Sequence, residues 1–192
     1  MTKTTPPLIR QRYDSFTLVL HWVTAAGVIF LFASAHIWEQ LARGTPLRKD
    51  LQAAHISCGM LLALVMLIRP LWRLFSQHSP RFSLPPVEGT RLAKLLAHAM
   101  HGALYILLFS QIVLGFLFRW SQQEPFLFFG FFDLSGLVQI TPTLRHTFAQ
   151  WHGNVAWALV SLALVHALAA LFHHYLLRDS VLRRMLPGRA FR

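Results

Sequence analysis

Four long apolar stretches, separated by shorter polar segments, dominate the pattern of hydrophobic and polar positions along the chain. They run from about residue 15 to 38, 51 to 72, 92 to 120 and 147 to 177. Because a helix needs about 20 residues to cross the apolar interior of a bilayer, each stretch is long enough to span a membrane. The pattern therefore predicts an all-α integral membrane protein, folded as a single domain in the form of a four-helix bundle.

Composition favours a membrane protein over the other classes to which a basic chain can belong. The chain has 192 residues, is 55% hydrophobic and carries a formal net charge of +11. A water-soluble fold of this size could not bury so much apolar surface, so membrane lipid is the predicted partner of the four stretches. The basic residues lie in short segments between the spans rather than in one arm or recognition helix, which argues against nucleic-acid binding.

The lysines and arginines are distributed unequally between the two ends of the predicted bundle. By the positive-inside rule, the end with more of them faces the cytoplasm, so both termini are predicted to be cytoplasmic. The richer end carries Lys3, Arg10, Arg12, Arg69, Arg73, Arg81, Arg91, Lys94, Arg178, Arg183, Arg184, Arg189 and Arg192. The other end carries Arg43, Arg48, Lys49, Arg119 and Arg145.

The first span also has some features of a secretory signal peptide. Basic residues precede it, and Ala33-Ser34-Ala35 resembles a cleavage site. The apolar run is longer than that of an ordinary signal peptide and continues past this site. We therefore expect the first span to be retained in the mature protein.

An aromatic segment, PFLFFGFFDL, lies at Pro125–Leu134 in the loop between the third and fourth spans. It is too short to cross a membrane. We interpret it as a segment that lies at the outer interface or caps the bundle. The alternative interpretation is a docking face for a redox partner.

The chain has a single cysteine, Cys58, within an apolar run. One cysteine excludes an internal disulfide, a C-x-x-C-H site for covalently attached haem, and cysteine-rich zinc or iron–sulfur sites. Cys58 is therefore expected to be a buried free thiol.

Histidines are the side chains of this chain that are best suited to bind a cofactor within the membrane. Most of them lie within or beside the spans, where an ionisable side chain is costly and usually serves a function. The eleven are His21, His36, His55, His78, His98, His101, His146, His152, His166, His173 and His174.

Two histidines of the fourth span lie on one face, near opposite membrane surfaces. His152 and His166 are 14 residues apart, which is close to four helical turns and about 21 Å along the axis. Each has a partner at matching depth on another span. His55 of the second span matches His152 on the outer side, and His21 of the first span matches His166 on the inner side.

Two histidines that face each other across a helical bundle are suitable axial ligands for a haem iron. Zinc is a poorer fit, because no carboxylate or thiolate accompanies either pair. With both axial positions filled by the protein, such a haem passes single electrons and has no open position for oxygen. The sequence therefore predicts two b-type haems, one held by His21 and His166 and the other by His55 and His152.

Four further histidines lie near the predicted cytoplasmic surface. His98 and His101 share a face of the third span, where they would contact the propionates of the inner haem, bind a quinone or pack at the interface. His173 and His174 lie near the inner end of the fourth span, about two turns beyond His166. One of these two is a candidate to face a quinone headgroup, and the other is expected to face the interface.

The remaining histidines have weaker assignments. His36 lies at outer depth and is the main alternative to His55, whereas His78 and His146 are expected in loops. Glycines within the spans would let a haem approach a helix backbone or would serve ordinary helix packing. These glycines are Gly59, Gly102, Gly115 and Gly153.

A series of motifs in this order resembles a known family. The motifs are LHW at Leu20–Trp22, AHISCG at Ala54–Gly59, AHAMH at Ala97–His101, QWHGNVAW at Gln150–Trp157 and VHALAALFHHYLLRDSVLRRMLP at Val165–Pro187. They resemble the bacterial cytochrome b561 family of four-helix di-haem quinone reductases, over nearly the whole chain. The six-helix eukaryotic proteins that share the name match poorly, since this chain has four predicted spans.

The resemblance implies haem ligation by His21, His55, His152 and His166, the four residues that depth also selects. It further implies a bacterial inner-membrane location and ubiquinone as electron acceptor. The activity associated with the family is oxidation of superoxide at the periplasmic side, with the electron passed to ubiquinone. The outer loops, where a donor would be selected, depart most from the family pattern.

Three functions are compatible with membrane-embedded histidines. The first is a superoxide:ubiquinone oxidoreductase whose outer lysines and arginines attract a small anion. The second is a cytochrome subunit that relays electrons from a periplasmic redox partner to the quinone pool. The third is a transporter or sensor, which the absence of half-helix breaks and of acidic residues within the spans argues against.

Overall fold

The computed structural model describes residues 12–77 and 90–186. Its main elements are four helices: α1 at Ser15–Glu39, α2 at Pro46–Gln77, α3 at Arg91–Gln122 and α4 at Arg145–Phe172. All four are long and apolar enough to cross a membrane. The prediction of an all-α membrane bundle is confirmed, although α2 extends beyond the predicted stretch 51–72 at both ends.

The two ends of the bundle differ in the connections that they carry and in their charge. We call the end that carries the α1–α2 and α3–α4 connections the outer end and the opposite end the inner end. Which end faces the cytoplasm stays a prediction from the positive-inside rule. The predicted cytoplasmic linker between α2 and α3, with His78, lies outside the described residues.

Local side-chain chemistry fixes where the helices begin. Asp14 caps α1, since its carboxylate accepts a hydrogen bond from the Thr17 backbone N–H at 2.9 Å. Thr90 caps α3 in the same way and accepts from the Ala93 N–H at 3.2 Å. α2 begins at Pro46, where the missing backbone N–H of proline costs the first turn nothing. Because each of these helices begins at a defined residue, the depth in the bundle of every later residue of that helix is fixed as well.

The four helices form two closely packed hairpins that meet along a looser seam. α1 packs along α2 and α3 packs along α4, whereas contacts between the two hairpins are fewer. A buried core lies at the middle of the bundle and contains Leu62, Met66, Leu108 and Leu159. Many other apolar side chains of the helices are exposed, as expected of residues that face lipid.

The aromatic segment of the outer loop forms a small hairpin, which the sequence did not predict. Strand β1 at Leu127–Phe128 pairs antiparallel with β2 at Phe132–Asp133. The turn between them places Phe129 and Gly130 at φ of 47° and 81°, and glycine adopts this left-handed conformation without strain. The Phe129 N–H donates to the Ser57 hydroxyl at 3.0 Å. The segment is thereby tied to α2 at the outer end.

The chain after α4 folds back toward the start of α1. α4 continues as a π-helical turn at His173–Leu177, and the helix ends where Arg178 adopts φ 53°. A 3-10 turn follows at Arg183–Met185, and the Met185 carbonyl accepts a hydrogen bond from the Trp22 indole at 2.7 Å. This contact fixes the tail against the inner end of the bundle.

Candidate metal centres

The outer histidine pair lies across the seam between the two hairpins. His55 of α2 and His152 of α4 have ring centroids 6.5 Å apart, with 70° between the ring planes. Both side chains are half-buried. Depth alone predicted that these residues would be neighbours, and the structure brings their rings together.

Each ring of the outer pair is held by a polar side chain on an adjacent helix. The Ser34 hydroxyl of α1 lies 3.1 Å from Nδ1 of His55. The Gln111 amide of α3 lies 3.1 Å from Nε2 of His152. Nδ1 of His152 is buried and has no hydrogen-bond partner among the described residues. Each ring therefore has one nitrogen engaged and one left over.

A glycine makes room for the His152 ring. A Cβ atom added at Gly115 of α3 would lie 3.1 Å from Cε1 of His152, closer than side chains ordinarily approach. Of the four glycines singled out from the sequence, Gly115 is the one with a close neighbour, and that neighbour is the histidine ring. At Gly59, Gly102 and Gly153 the space is open to at least 4 Å.

The inner histidine pair has nearly the same spacing as the outer pair. His21 of α1 and His166 of α4 have ring centroids 6.4 Å apart, at 64°. A third ring lies close by, since the centroid of His101 is 5.2 Å from that of His166. Nδ1 of His101 is engaged by the carbonyl of Ala97 in its own helix at 2.6 Å.

The spacing within both pairs fits a shared iron. A histidine nitrogen lies about 2 Å from a metal that it binds and the ring centre about 1 Å behind it, so two rings on one metal have centres about 6 Å apart. The centroid distances of 6.5 and 6.4 Å agree with this. His101, at 5.2 Å from His166, is too close for an iron between the two rings. No group of three or more histidine, cysteine or acidic side chains within the described ranges could hold a metal ion.

The buried core separates the two pairs. Leu159 lies midway between His152 and His166 on α4 and is 4% exposed. Leu62 and Met66 of α2 pack in the same cluster. The two candidate centres therefore lie at opposite ends of one seam, with apolar side chains between them.

Other histidines of the sequence prediction lie elsewhere. His36, the alternative to His55, packs against Phe32 and Trp157, with ring centroids 4.2 and 5.3 Å away. Its Nδ1 is engaged by the Phe32 carbonyl at 2.9 Å. His98 is exposed, and its Nδ1 is engaged by the Lys94 carbonyl at 2.6 Å. Because His36 packs against Trp157 and His98 is exposed, neither residue lies in the two pairs.

The inner end of α4 carries a histidine–carboxylate pair. Nδ1 of His173 lies 2.5 Å from Oδ2 of Asp179. Partial burial acts to raise the pKa of Asp179, but hydrogen bonds from His173 and the Val181 N–H, with the nearby Arg184, outweigh it and lower this pKa. Nδ1 of the neighbouring His174 is buried without a hydrogen-bond partner among the described residues.

Several residues of these sites could not be found from the sequence. Ser34, Gln111 and Asp179 carried no signal on their own, because each acquires its role from a neighbour on another helix or beyond a turn. Arg69 was counted only for its charge. In the structure it lies within electrostatic range of His21, and its guanidinium lies 5.3 Å from the centroid of the Tyr105 ring.

Four membrane-spanning helices carry two histidine pairs across one seam, and comparison with known proteins identifies the class of protein to which this arrangement belongs. A family model for prokaryotic cytochrome b561 matches residues 12–188. Cytochrome b561 homolog 2 of Escherichia coli K12 is 31% identical over 92% of each chain. The probable superoxide oxidase CybB of Yersinia pestis is 27% identical over 93% of this chain and 98% of its own. Cytochrome b562 of Cereibacter sphaeroides is 26% identical over 92% of this chain and 96% of its own.

The chain belongs to the prokaryotic cytochrome b561 family. It is accordingly an electron-transfer protein that crosses the bacterial inner membrane several times, in a family that binds haem b. The resemblance drawn from the sequence motifs is confirmed.

Proposed function

We propose that this protein holds two haems b and transfers electrons from superoxide at its outer end to ubiquinone at its inner end. The observation that carries the proposal is the spacing of the two histidine pairs, 6.5 and 6.4 Å between ring centroids. The outer haem is held by His55 and His152, and the inner haem by His21 and His166. α4 supplies one ligand to each pair.

The protein contributes ligation, orientation and an apolar surrounding. When bound, the two haems b would supply one-electron transfer, with His21 and His166 holding one and His55 and His152 holding the other. Ser34 and Gln111 restrain the outer rings through the contacts at 3.1 Å. Arg69, beside His21, is the cation best placed to meet a propionate of the inner haem.

A small anionic donor suits the outer end. A relative of similar length is named a probable superoxide oxidase. Arg119 is neutralised locally by Glu124 at 2.9 Å, and Arg48 is engaged by the carbonyls of Trp38 and Leu41. The outer cations that no hydrogen bond of the described residues engages are Arg43, Lys49 and Arg145, and they would attract superoxide.

The inner end offers groups for quinone reduction. In the overall reaction two superoxide anions each lose one electron to give dioxygen, and ubiquinone takes up two electrons and two protons to give ubiquinol. The Asp179 carboxylate accepts from His173 Nδ1, which leaves Nε2 of His173 free to contact a quinone oxygen.

Superoxide-driven quinone reduction by the purified protein tests the proposed function. The protein is placed in liposomes that contain ubiquinone, superoxide is generated outside, and ubiquinol is measured. We expect ubiquinol to form with this protein alone, and addition of superoxide dismutase or the change His55→Ala to abolish it. Bound haem without any superoxide-driven reduction would refute superoxide as the donor.

A relay from a periplasmic redox protein is the second candidate function, and the outer hairpin favours it. Phe131 and Phe132 at the hairpin are 81% and 67% exposed, whereas Phe126 beneath them is 3% exposed. Exposed aromatic side chains are frequent anchors in protein–protein contacts. In this function the purified protein would reduce ubiquinone only when its partner is added.

A further inference from the structure

A buried serine on α1 contacts one of the proposed haem ligands. Ser34 is 2% exposed, and its hydroxyl oxygen lies 3.1 Å from Nδ1 of His55 on α2. The same hydroxyl donates to the Leu31 carbonyl of its own helix at 3.0 Å. The edge of the Trp38 ring packs on His55 with centroids 4.9 Å apart. His55 is therefore fixed by polar and apolar contacts from α1.

The hydrogen-bond geometry determines which nitrogen of His55 carries the proton. A serine hydroxyl has a single proton, and that of Ser34 is directed to the Leu31 carbonyl. The oxygen then accepts from His55, and the Leu31 carbonyl also accepts from this ring, so Nδ1 is the protonated nitrogen. The lone pair of the neutral ring is left on Nε2, which is the form required of a metal ligand.

We propose that Ser34 is a positioning residue for the outer haem, fixing the tautomer of His55 and making it a stronger electron donor to iron. The proposal rests on the proposed function, in which His55 is a haem ligand. A hydrogen bond accepted from the far nitrogen of an imidazole raises the basicity of the ligating nitrogen. A more basic ligand favours oxidised iron over reduced iron, so Ser34 lowers the reduction potential at the outer end.

The outer and inner histidine pairs differ in whether hydrogen bonds fix their rings. No hydrogen bond within the described part of the chain fixes the ring of His21 or His166, whereas both outer rings are engaged. A lower potential at the outer end than at the inner end favours electron movement from outer donor to inner acceptor. Ser34 therefore contributes to the direction of transfer as well as to ligand geometry.

Ser34→Ala tests the proposal, with Ser121→Ala as the matched control. Ser121 of α3 is 1% exposed and donates to the Phe118 carbonyl of its own helix at 2.7 Å, as Ser34 does to Leu31. No hydrogen bond links Ser121 to a histidine in the described ranges. Ser121→Ala removes the same hydroxyl oxygen from an equally buried position in a helix, without changing a contact to a proposed haem ligand.

The readouts are the haem content of the purified protein and an equilibrium redox titration, with the outer component identified as the one lost in His55→Ala. We expect Ser34→Ala to keep two haems and to raise the potential of the outer component alone. A tenfold change in the one-electron reduction equilibrium corresponds to about 59 mV. Ser121→Ala should shift neither component, and Ser34→Thr, which restores the oxygen, should return the potential toward that of the original protein.

The remaining outcomes of this experiment each overturn or support the proposal. Two haems with an unchanged outer potential in Ser34→Ala would overturn it while leaving the proposed function intact, as would an equal shift in Ser121→Ala. If Ser34→Ala loses the outer haem, retention in Ser34→Thr supports the proposal and loss in both variants overturns it. A chain that binds no haem, or that keeps both haems in His55→Ala, would instead refute the proposed function itself.

Discussion

His173 donates a hydrogen bond from Nδ1 to the Asp179 carboxylate across the end of α4, at 2.5 Å. The two residues are brought together because the helix ends in a π-helical turn and Arg178 adopts a left-handed conformation that reverses the chain. Such turns recur at functional sites. The pair holds the imidazole at the inner end with Nε2 available to a ligand.

Asp179→Asn is expected to slow quinone reduction while both haems stay bound. At neutral pH Asp179 is a carboxylate, because its hydrogen bonds outweigh partial burial and lower its pKa. An amide at this position no longer fixes the His173 tautomer, and loss of such a contact typically costs about tenfold. The measurement is the rate of ubiquinol formation by protein whose haems are reduced from the outside.

The control for this change is Asp133→Asn in the outer hairpin, where the carboxylate accepts from the N–H groups of Phe126 and Ser135. It should leave quinone kinetics unchanged. His173→Ala or His174→Ala should slow the reaction as Asp179→Asn does. Unchanged kinetics in the double histidine variant, with losses on altering the outer loops instead, would place the quinone site at the outer end.

His21→Ala should remove the inner haem, and His101→Ala should not. The ring of His21 lies at the spacing that a shared iron requires, 6.4 Å from His166, whereas His101, at 5.2 Å from His166, is too close for an iron between the two rings. Haem content and the visible spectrum of each purified variant provide the measurement. Loss of the inner haem in His101→Ala, with retention in His21→Ala, would exchange the two assignments.

Gly115→Ala should weaken the outer haem selectively. The added Cβ would lie 3.1 Å from the His152 ring, so the ring would have to move by a few tenths of an ångström away from α3. We expect about tenfold weaker retention of the outer haem on dilution or detergent washing. Gly102→Ala on the same helix has nothing within 4 Å and serves as the control. Equal retention in the two variants would show that His152 does not depend on this contact.

Replacement of both exposed hairpin aromatics, Phe131→Ser with Phe132→Ser, separates the two candidate functions. If superoxide is the donor, the double variant should form ubiquinol at the original rate, because these side chains lie outside both histidine pairs. If a partner protein is the donor, only the partner-driven rate should fall. A loss of superoxide-driven activity with both haems present would show that the hairpin itself takes part in oxidation of superoxide.

The spans and the histidine pairs could be predicted from the sequence because both depend on distance along a helix. Hydropathy located four helices, and a rise of about 1.5 Å per residue placed His152 and His166 at the depths of His55 and His21. The structure brings these residues together in the predicted combinations. Their role as haem ligands stays a prediction that the haem measurements test.

The parts that the sequence did not reveal depend on the rotation of helices and on backbone turns. Depth could not separate His36 from His55, because only the helix face decides that His36 packs against Trp157. Ser34 and Gln111 meet histidines on other helices, and no periodicity along one helix indicates such a contact. The aromatic segment 125–134 was recognised as an outer segment, but its hairpin depends on the turn at Phe129 and Gly130.

The haem content of the purified protein and of four single histidine variants tests the central claim most directly. We expect two non-covalently bound haems per chain, released by acid–acetone because the single cysteine cannot form two thioether bonds. His21→Ala and His166→Ala should each retain one haem and share one spectrum, and His55→Ala and His152→Ala should each retain one haem and share the other. One haem or none in the unaltered chain, or the same spectral component lost in His21→Ala and His55→Ala, would contradict it.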